Sequence, residues 1–190
     1  MLEHETLGKP SPTLNRIELV LFDLAGTTVD DRAAGSSLVV RALVDAFAAA
    51  GVVVSEEVCQ AHRGKEKLAA IRSILRELAG ESESAGRTAF IYDRFVDALQ
   101  PALDAMREID GASTTFRFLR ERGIRIGVGS GFPPAVVAYI LERMGWQREG
   151  LAQYVGSAEQ VGASRPDPAM ILDAMRQFRI SDPAVVLKVG

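Results

Sequence analysis

Residues 19–31 read "LVLFDLAGTTVDD". An unbroken apolar run from Leu19 to Phe22 ends on an acid, Asp23, and is followed by Gly26 and the hydroxyls of Thr27 and Thr28. A run with no polar alternation is a strand buried on both faces, which is the habit of parallel sheets. Gly26 permits a tight turn whose main-chain N–H groups point outward and, with the threonine hydroxyls, suit an anion. A carboxylate at such a strand end is placed to attack a phosphoryl group. One anion attacking another needs a cation, and oxygen ligands select Mg²⁺.

Three further stretches share this apolar, β-branched character, giving strands over 17–24, 124–130, 154–157 and 184–190. Helical patterns separate the last three. One is "PAVVAYILERMGW"; another, "DPAMILDAMRQFRI", puts Met170, Ala174, Met175 and Phe178 on one side. Strand and helix in alternation predict an α/β fold: a Rossmann-like parallel sheet with helices on both faces. The first gap differs, because about 100 residues is far more than one crossover needs. It holds helical patterns at 36–50, 66–79 and 87–107 and no clear strand. Leu38, Ala42, Leu43, Ala46 and Phe47 share a face in the first; Leu68, Ile71, Leu75 and Leu78 in the second; Phe90, Phe95, Leu99, Leu103 and Met106 in the third. "GESESAGR" between the last two reads as a turn. "DGASTTFRFLRERGI" returns the chain to the sheet through one more helix. The expected division is a flexible lead-in over 1–15, a core of 16–32 and 108–190, and an all-helical cap over 33–107. A cap inserted there would cover the carboxyl edge, where open α/β sheets bind ligands.

The 190 residues are 47% hydrophobic, enough for one core with a second lobe, and the net charge of -3 gives no electrostatic reason to expect nucleic acid. Cys59 is the only cysteine, so there is no disulfide framework. No apolar run approaches a membrane span of about 20 residues. The expectation is a cytoplasmic protein acting on a small phosphorylated substrate.

Two later stretches extend the anion site. "GVGSGF" sets Ser130 and Gly131 at the end of the second strand, before a helix, where a hydroxyl and free N–H groups can hold phosphate oxygens. "SRPDPAMI" sets Arg165 just before another helix, where a guanidinium can pair with phosphate and carboxylate together.

The ordered set of Asp23 in "DxxGT", strand-end Ser130 and Arg165 before "PxP", with helices between the first two, resembles the haloacid dehalogenase superfamily of phosphohydrolases over residues 17–190. Most phosphatases of that superfamily carry an acid two residues after the nucleophile, which protonates an alcohol leaving group. Ala25 stands there. The form "DxAGTT" resembles the phosphonoacetaldehyde hydrolase, or phosphonatase, branch, which cleaves a phosphorus–carbon bond and uses a cap lysine as a Schiff base.

That lysine lies three residues after a glycine in the branch. In "AHRGKEKLAAIRSIL", Lys67 holds the same relation to Gly64, with Lys65 as a neighbouring alternative. The resemblance implies Asp23, Lys67 and Arg165 as catalytic residues, with Ala25, Gly26, Thr27, Gly64, Ser130 and Gly131 around the substrate. Mg²⁺ would sit on Asp23 and the Ala25 main-chain carbonyl. A homodimer through the cap, as in related enzymes, is also implied.

Two positions depart from the branch. Arg63 stands where it has methionine, and Ala70 where it has histidine; His62 is nearby but elsewhere in the pattern. The superfamily's fourth motif, "GDxxxD", would begin at Gly190, so the reading expects a truncated chain. A phosphate-monoester phosphatase and an inactive, truncated member are the alternative readings.

Overall fold

The computed structural model describes residues 17–33, 35–79, 85–163 and 165–190. Leu19–Asp23 (β1) is an inner strand of a four-stranded parallel sheet. Arg125–Ser130 (β6) and Val186–Val189 (β8) flank it, and Tyr154–Ser157 (β7) lies outside β6, giving the order β7-β6-β1-β8. The four predicted strands are thus present: 154–157 as expected, 124–130 one residue shorter at its start, and the other two trimmed at both ends. Because every pair is parallel, all carboxyl ends lie along one edge. Asp23 aligns there with Gly129, one residue short of Ser130, and Ser130 aligns with Ser157.

The two faces of β1 enter separate hydrophobic clusters. Val20 and Phe22 join Ile126 and Val128 under Ala112–Glu121 (α5) and Pro134–Met144 (α6), where Phe22, Phe116 and Trp146 meet in succession, tilted and then edge-to-face, at 5.0 Å between centroids. Leu19 and Leu21 pack with Tyr154 and with Met170, Ala174 and Met175 of Ala169–Phe178 (α8). Glycine is required on this second face. A Cβ on Gly127 would stand 2.6 Å from Leu21 Cδ1 and 3.1 Å from the Tyr154 ring, so the alternating glycines of "GVGS" make room for larger neighbours.

Between β1 and α5 the described residues form four helices: Leu38–Ala49 (α1), Glu56–His62 (α2), Lys67–Ala79 (α3) and Ala85–Leu103 (α4). Ser37 caps α1, Ser55 caps α2, and the Glu66 carboxylate accepts from the N–H groups of Leu68 and Ala69 at the start of α3. All five apolar residues predicted to share a face of α1 are buried. In α4 the buried row is Ile91, Phe95, Leu99 and Leu103, so Phe90 falls off it and is half exposed. In α3, Ile71, Ile74 and Leu75 are buried, and Leu78 faces outward.

The interval is not wholly helical. Val29–Asp30 (β2) pairs antiparallel with Arg107–Glu108 (β5), and Arg32–Ala33 (β3) pairs with Ser36–Ser37 (β4). The first pair ties together the two crossings between sheet and helices, reinforced by the Ile109 N–H donating to the Thr28 carbonyl at 3.0 Å. Two-residue strands carry no periodicity, so the sequence does not announce them. The last elements are Ala158–Val161 (α7) and a 3₁₀ turn, Pro183–Val185. The expected lead-in over 1–15, and residues 80–84 of the expected turn, lie outside the described residues.

Candidate active site

Asp23 leaves the sheet at its carboxyl edge with a side chain 16% exposed. The chain then closes a tight loop on itself. The Leu24 carbonyl accepts from the N–H groups of Thr27, Thr28 and Val29 at 3.1, 2.9 and 3.0 Å, and the Gly26 N–H donates to Val29 O at 2.8 Å. Gly26 has φ +80°, the left-handed region that favours glycine. Thr28 is buried, its hydroxyl donating to the Asp23 carbonyl at 2.8 Å. The expectation of outward-facing N–H groups is therefore corrected for Gly26, Thr27 and Thr28, whose donors close the turn. What the loop achieves is a fixed direction for Asp23.

Arg165, reached from the α7–α8 connection, grips that carboxylate with two parallel bonds: Nη2 to Oδ1 at 2.7 Å and Nη1 to Oδ2 at 3.1 Å. This fork-on-carboxylate geometry is the one a guanidinium makes best. Gly64 sits against it, since a Cβ there would stand 3.7 Å from Arg165 Nη1. Ser130 is buried with its Oγ accepting the Phe132 N–H at 3.1 Å. Gly131 is where the helical insertion comes down on the sheet edge. A Cβ there would run into the Lys65 carbonyl and stand 3.2 Å from that of Gly64.

Lys67 opens α3 with only 1% of its surface exposed. Its ammonium donates to the carbonyls of Arg63 at 2.6 Å and Lys65 at 2.8 Å, and lies 5.6 Å from the centre of the Phe132 ring. Burial drives the amine from an ordinary 10.5 down to about 7. The charges of Asp23 and Glu66 resist this, while those of Arg165 and Arg63 add to it. Lys65 faces elsewhere: its Nζ meets His62 Nδ1 at 3.0 Å, and His62 Nε2 meets Glu77 at 3.2 Å. Ala70, at the branch's histidine position, is fully buried.

These groups enclose a cavity of about 50 Å³, bounded by Asp23, Ala25, Gly64, Lys67, Ser130, Gly131 and Arg165, with Val39, Arg63 and Phe132 completing the wall. Of the residues singled out in the sequence, Gly26 and Thr27 do not reach it. In the sequence Arg63 stands out only as a departure from the branch, and Val39 and Phe132 carry no signal. A groove of about 860 Å³ between α4 and α6 is larger, but it brings no strand-end acid to a buried amine. The Asp23 carboxylate and the Ala25 carbonyl are hard oxygens that suit Mg²⁺, which commonly takes one or two carboxylates and fills its other positions with water and phosphate oxygens. Among the described residues no group of three His, Cys, Asp or Glu gathers to hold a metal.

The site can thus present a nucleophilic carboxylate, a guanidinium for anionic oxygens and a partly neutral amine within one small cavity. Comparison with known proteins gives the same direction. The sequence pattern of the haloacid dehalogenase-like hydrolases matches residues 17–190. A phosphonoacetaldehyde hydrolase of Bordetella pertussis is 37% identical over 185 residues, covering 92% of this chain and 65% of its own length. Another, from Lactiplantibacillus plantarum, is 28% identical over 184 residues, covering 92% and 68%. The chain therefore spans about two thirds of the length of the curated relatives it matches. Among solved structures, a phosphonoacetaldehyde hydrolase-like protein from Oleispira antarctica superposes with TM-score 0.78 at 23% identity, over 97% of this chain and 69% of that one. A hydrolase from Pseudomonas syringae gives TM-score 0.78 at 17% identity, over 90% and 74%.

Proposed function

Since the chain belongs to the haloacid dehalogenase-like hydrolase family, we propose that it cleaves the phosphorus–carbon bond of a small phosphonate aldehyde, phosphonoacetaldehyde or a near relative. The observation that carries this reading is the buried amine of Lys67, brought down to about 7 in the same cavity as Asp23 and Arg165. Monoester hydrolysis needs no imine, so an amine kept partly neutral in this cavity favours the aldehyde reading. The Bordetella and Lactiplantibacillus relatives, named for that reaction, support the reading.

Lys67, as free amine, attacks the aldehyde carbon and water leaves, giving an imine. Asp23 attacks phosphorus, and the electron pair of the breaking P–C bond moves into the imine as an enamine. No alkoxide forms, so no acid is needed at position 25, where alanine stands. Protonation of the enamine carbon and hydrolysis of the imine release acetaldehyde and free Lys67, and water cleaves the aspartyl-phosphate. Arg165 moves part of its fork from Asp23 to the phosphonate oxygens, helped by Ser130 and the main chain at Gly131. Asp23 and the Ala25 carbonyl would hold Mg²⁺, which supplies charge neutralisation between carboxylate and phosphonate. In this reading 33–107 acts as a cap over a core of 16–32 and 108–190. It also includes a cytoplasmic setting and a homodimer through the cap helices, where Leu78 and Phe90 are half exposed.

The test is release of phosphate and acetaldehyde from phosphonoacetaldehyde with Mg²⁺ present. Asp23→Asn and Lys67→Arg are each expected to abolish it. Turnover of an activated aryl phosphate that survives Lys67→Ala would replace this reading with a monoester phosphatase.

A further inference from the structure

Arg63 occupies a wall of the cavity where the related branch carries an uncharged methionine, and its surroundings give that substitution a chemical meaning. The guanidinium is anchored from behind. Its Nη2 donates to Asp31 Oδ1 at 2.7 Å, and the Asp31 side chain is 1% exposed. The other Asp31 oxygen accepts the Ser37 hydroxyl at 2.5 Å. Both carboxylate oxygens are thereby occupied, and Asp31 does not reach the cavity. A guanidinium carries five N–H donors, and Asp31 uses Nη2 alone. Among the described residues, Arg63 Nε and Nη1 have no acceptor in the protein. The same residue's carbonyl accepts from the Lys67 ammonium at 2.6 Å. Lys67 and Arg63 line the same cavity, so a carbon bonded to Lys67 shares that cavity with Arg63. Nη2 also reaches across to the loop after β1, 3.1 Å from where a Cβ on Gly26 would be.

We propose that Arg63 determines specificity by taking a carboxylate on the carbonyl carbon of the substrate, so that the preferred class is the phosphonomethyl 2-oxo acids rather than the simple aldehyde. The inference rests on the imine reading above and deepens it. With the phosphonate held by Arg165 and the carbonyl carbon bonded to Lys67, the one remaining substituent of that carbon is hydrogen in an aldehyde and carboxylate in a 2-oxo acid. A guanidinium on the wall of the same cavity, with donors left over after Asp31, can pair with the second and makes no hydrogen bond to the first. The reaction balances in the same way. Lys67 condenses with the ketone and loses one water; Asp23 takes phosphorus as the P–C electron pair enters the ketimine. The enamine takes a proton on carbon, one water releases the 2-oxo acid now ending in a methyl group, and a second water cleaves the aspartyl-phosphate. The net cost is one water per phosphate released.

Removing Arg63 alone would leave Asp31 buried and unpaired, a change that commonly destabilises a protein. The informative variant is therefore Asp31→Asn/Arg63→Met, with Arg63→Lys as a second that keeps the charge pair but loses the fork. The probes are 3-phosphonopyruvate and phosphonoacetaldehyde, each trapped on the 190-residue chain with borohydride and read by intact mass. The expected result is a ratio of oxo-acid to aldehyde trapping that falls about tenfold to a hundredfold in the double variant, the scale of a lost charge-assisted hydrogen bond. Aldehyde trapping, read at pH 9 so that loss of the Arg63 charge does not decide the protonation of Lys67, should be retained, and Arg63→Lys should fall between. An unchanged ratio, or equal losses for both probes, overturns the proposal. In a Lys67→Met background, where no imine forms, the dissociation constant for 3-phosphonopyruvate should still rise at least tenfold on adding the double substitution. That separates failure of the carboxylate site from failure of the imine chemistry.

Discussion

Replacing Lys67 by methionine should change how the protein's stability depends on pH, in a direction and by an amount that follow from the burial of one amine. In the folded chain Lys67 titrates near 7, while in the unfolded chain it titrates near 10.5. Between those values the unfolded chain holds a proton that the folded chain has released. Raising the pH therefore favours the folded state, with a slope of up to about 1.4 kcal/mol per pH unit. At pH 7 the folded amine is about half protonated, so the slope starts at half its full value. Integrated from pH 7 to pH 9, the gain is about 2 kcal/mol. Methionine keeps an unbranched apolar chain and removes the titration. Urea melts of both proteins at pH 7, 8 and 9 isolate the effect, because other titrating groups cancel in the difference between them. The stability of wild type relative to Lys67→Met should rise by about 2 kcal/mol across that range. A difference that stays constant would mean that Lys67 titrates like any surface lysine and is not prepared as a nucleophile at neutral pH.

Other perturbations reach the same site by different routes. Asp23 is the largest of the charges holding the Lys67 amine up, and Arg165 pushes it down. The pH midpoint for aldehyde trapping should accordingly fall in Asp23→Asn and rise in Arg165→Gln, read by peptide mapping across a pH series. Gly131→Ala places a methyl group against the Lys65 carbonyl, which is also an acceptor for Lys67; it should cost about 1–3 kcal/mol in denaturant melts and cut trapping on Lys67.

The sheet was legible because its signal is local. Leu19–Asp23, and Arg125–Ser130 after its exposed first residue, are apolar runs that each end on a polar residue, and parallel pairing then brings Asp23 and Ser130 to one edge. Arg165 follows from its order after Asp23 and Ser130, and Lys67 from its spacing after Gly64 in the family resemblance; the tertiary fold had only to bring them inward. Helix faces were read less well where two neighbouring apolar residues compete. Phe90 and Ile91 both fit a helical spacing, and only packing buries Ile91 and leaves Phe90 half exposed. The loop after β1 looked like an anion nest because its composition is that of one. Its hydrogen bonds run instead to the Leu24 carbonyl, a choice that composition does not encode. The Asp31–Arg63 pair joins residues 32 apart across the junction of sheet and helices, so no periodicity or motif could have announced it.

The most direct test of the account is borohydride trapping with phosphonoacetaldehyde at pH 7, followed by intact mass and peptide mapping. Imine formation needs the buried amine and an aldehyde, and does not depend on a bound metal. The account predicts one stable adduct, on Lys67, that phosphate suppresses by occupying the Arg165 end of the cavity. An adduct spread over exposed lysines, with Lys67 unmodified in the folded protein, would contradict it.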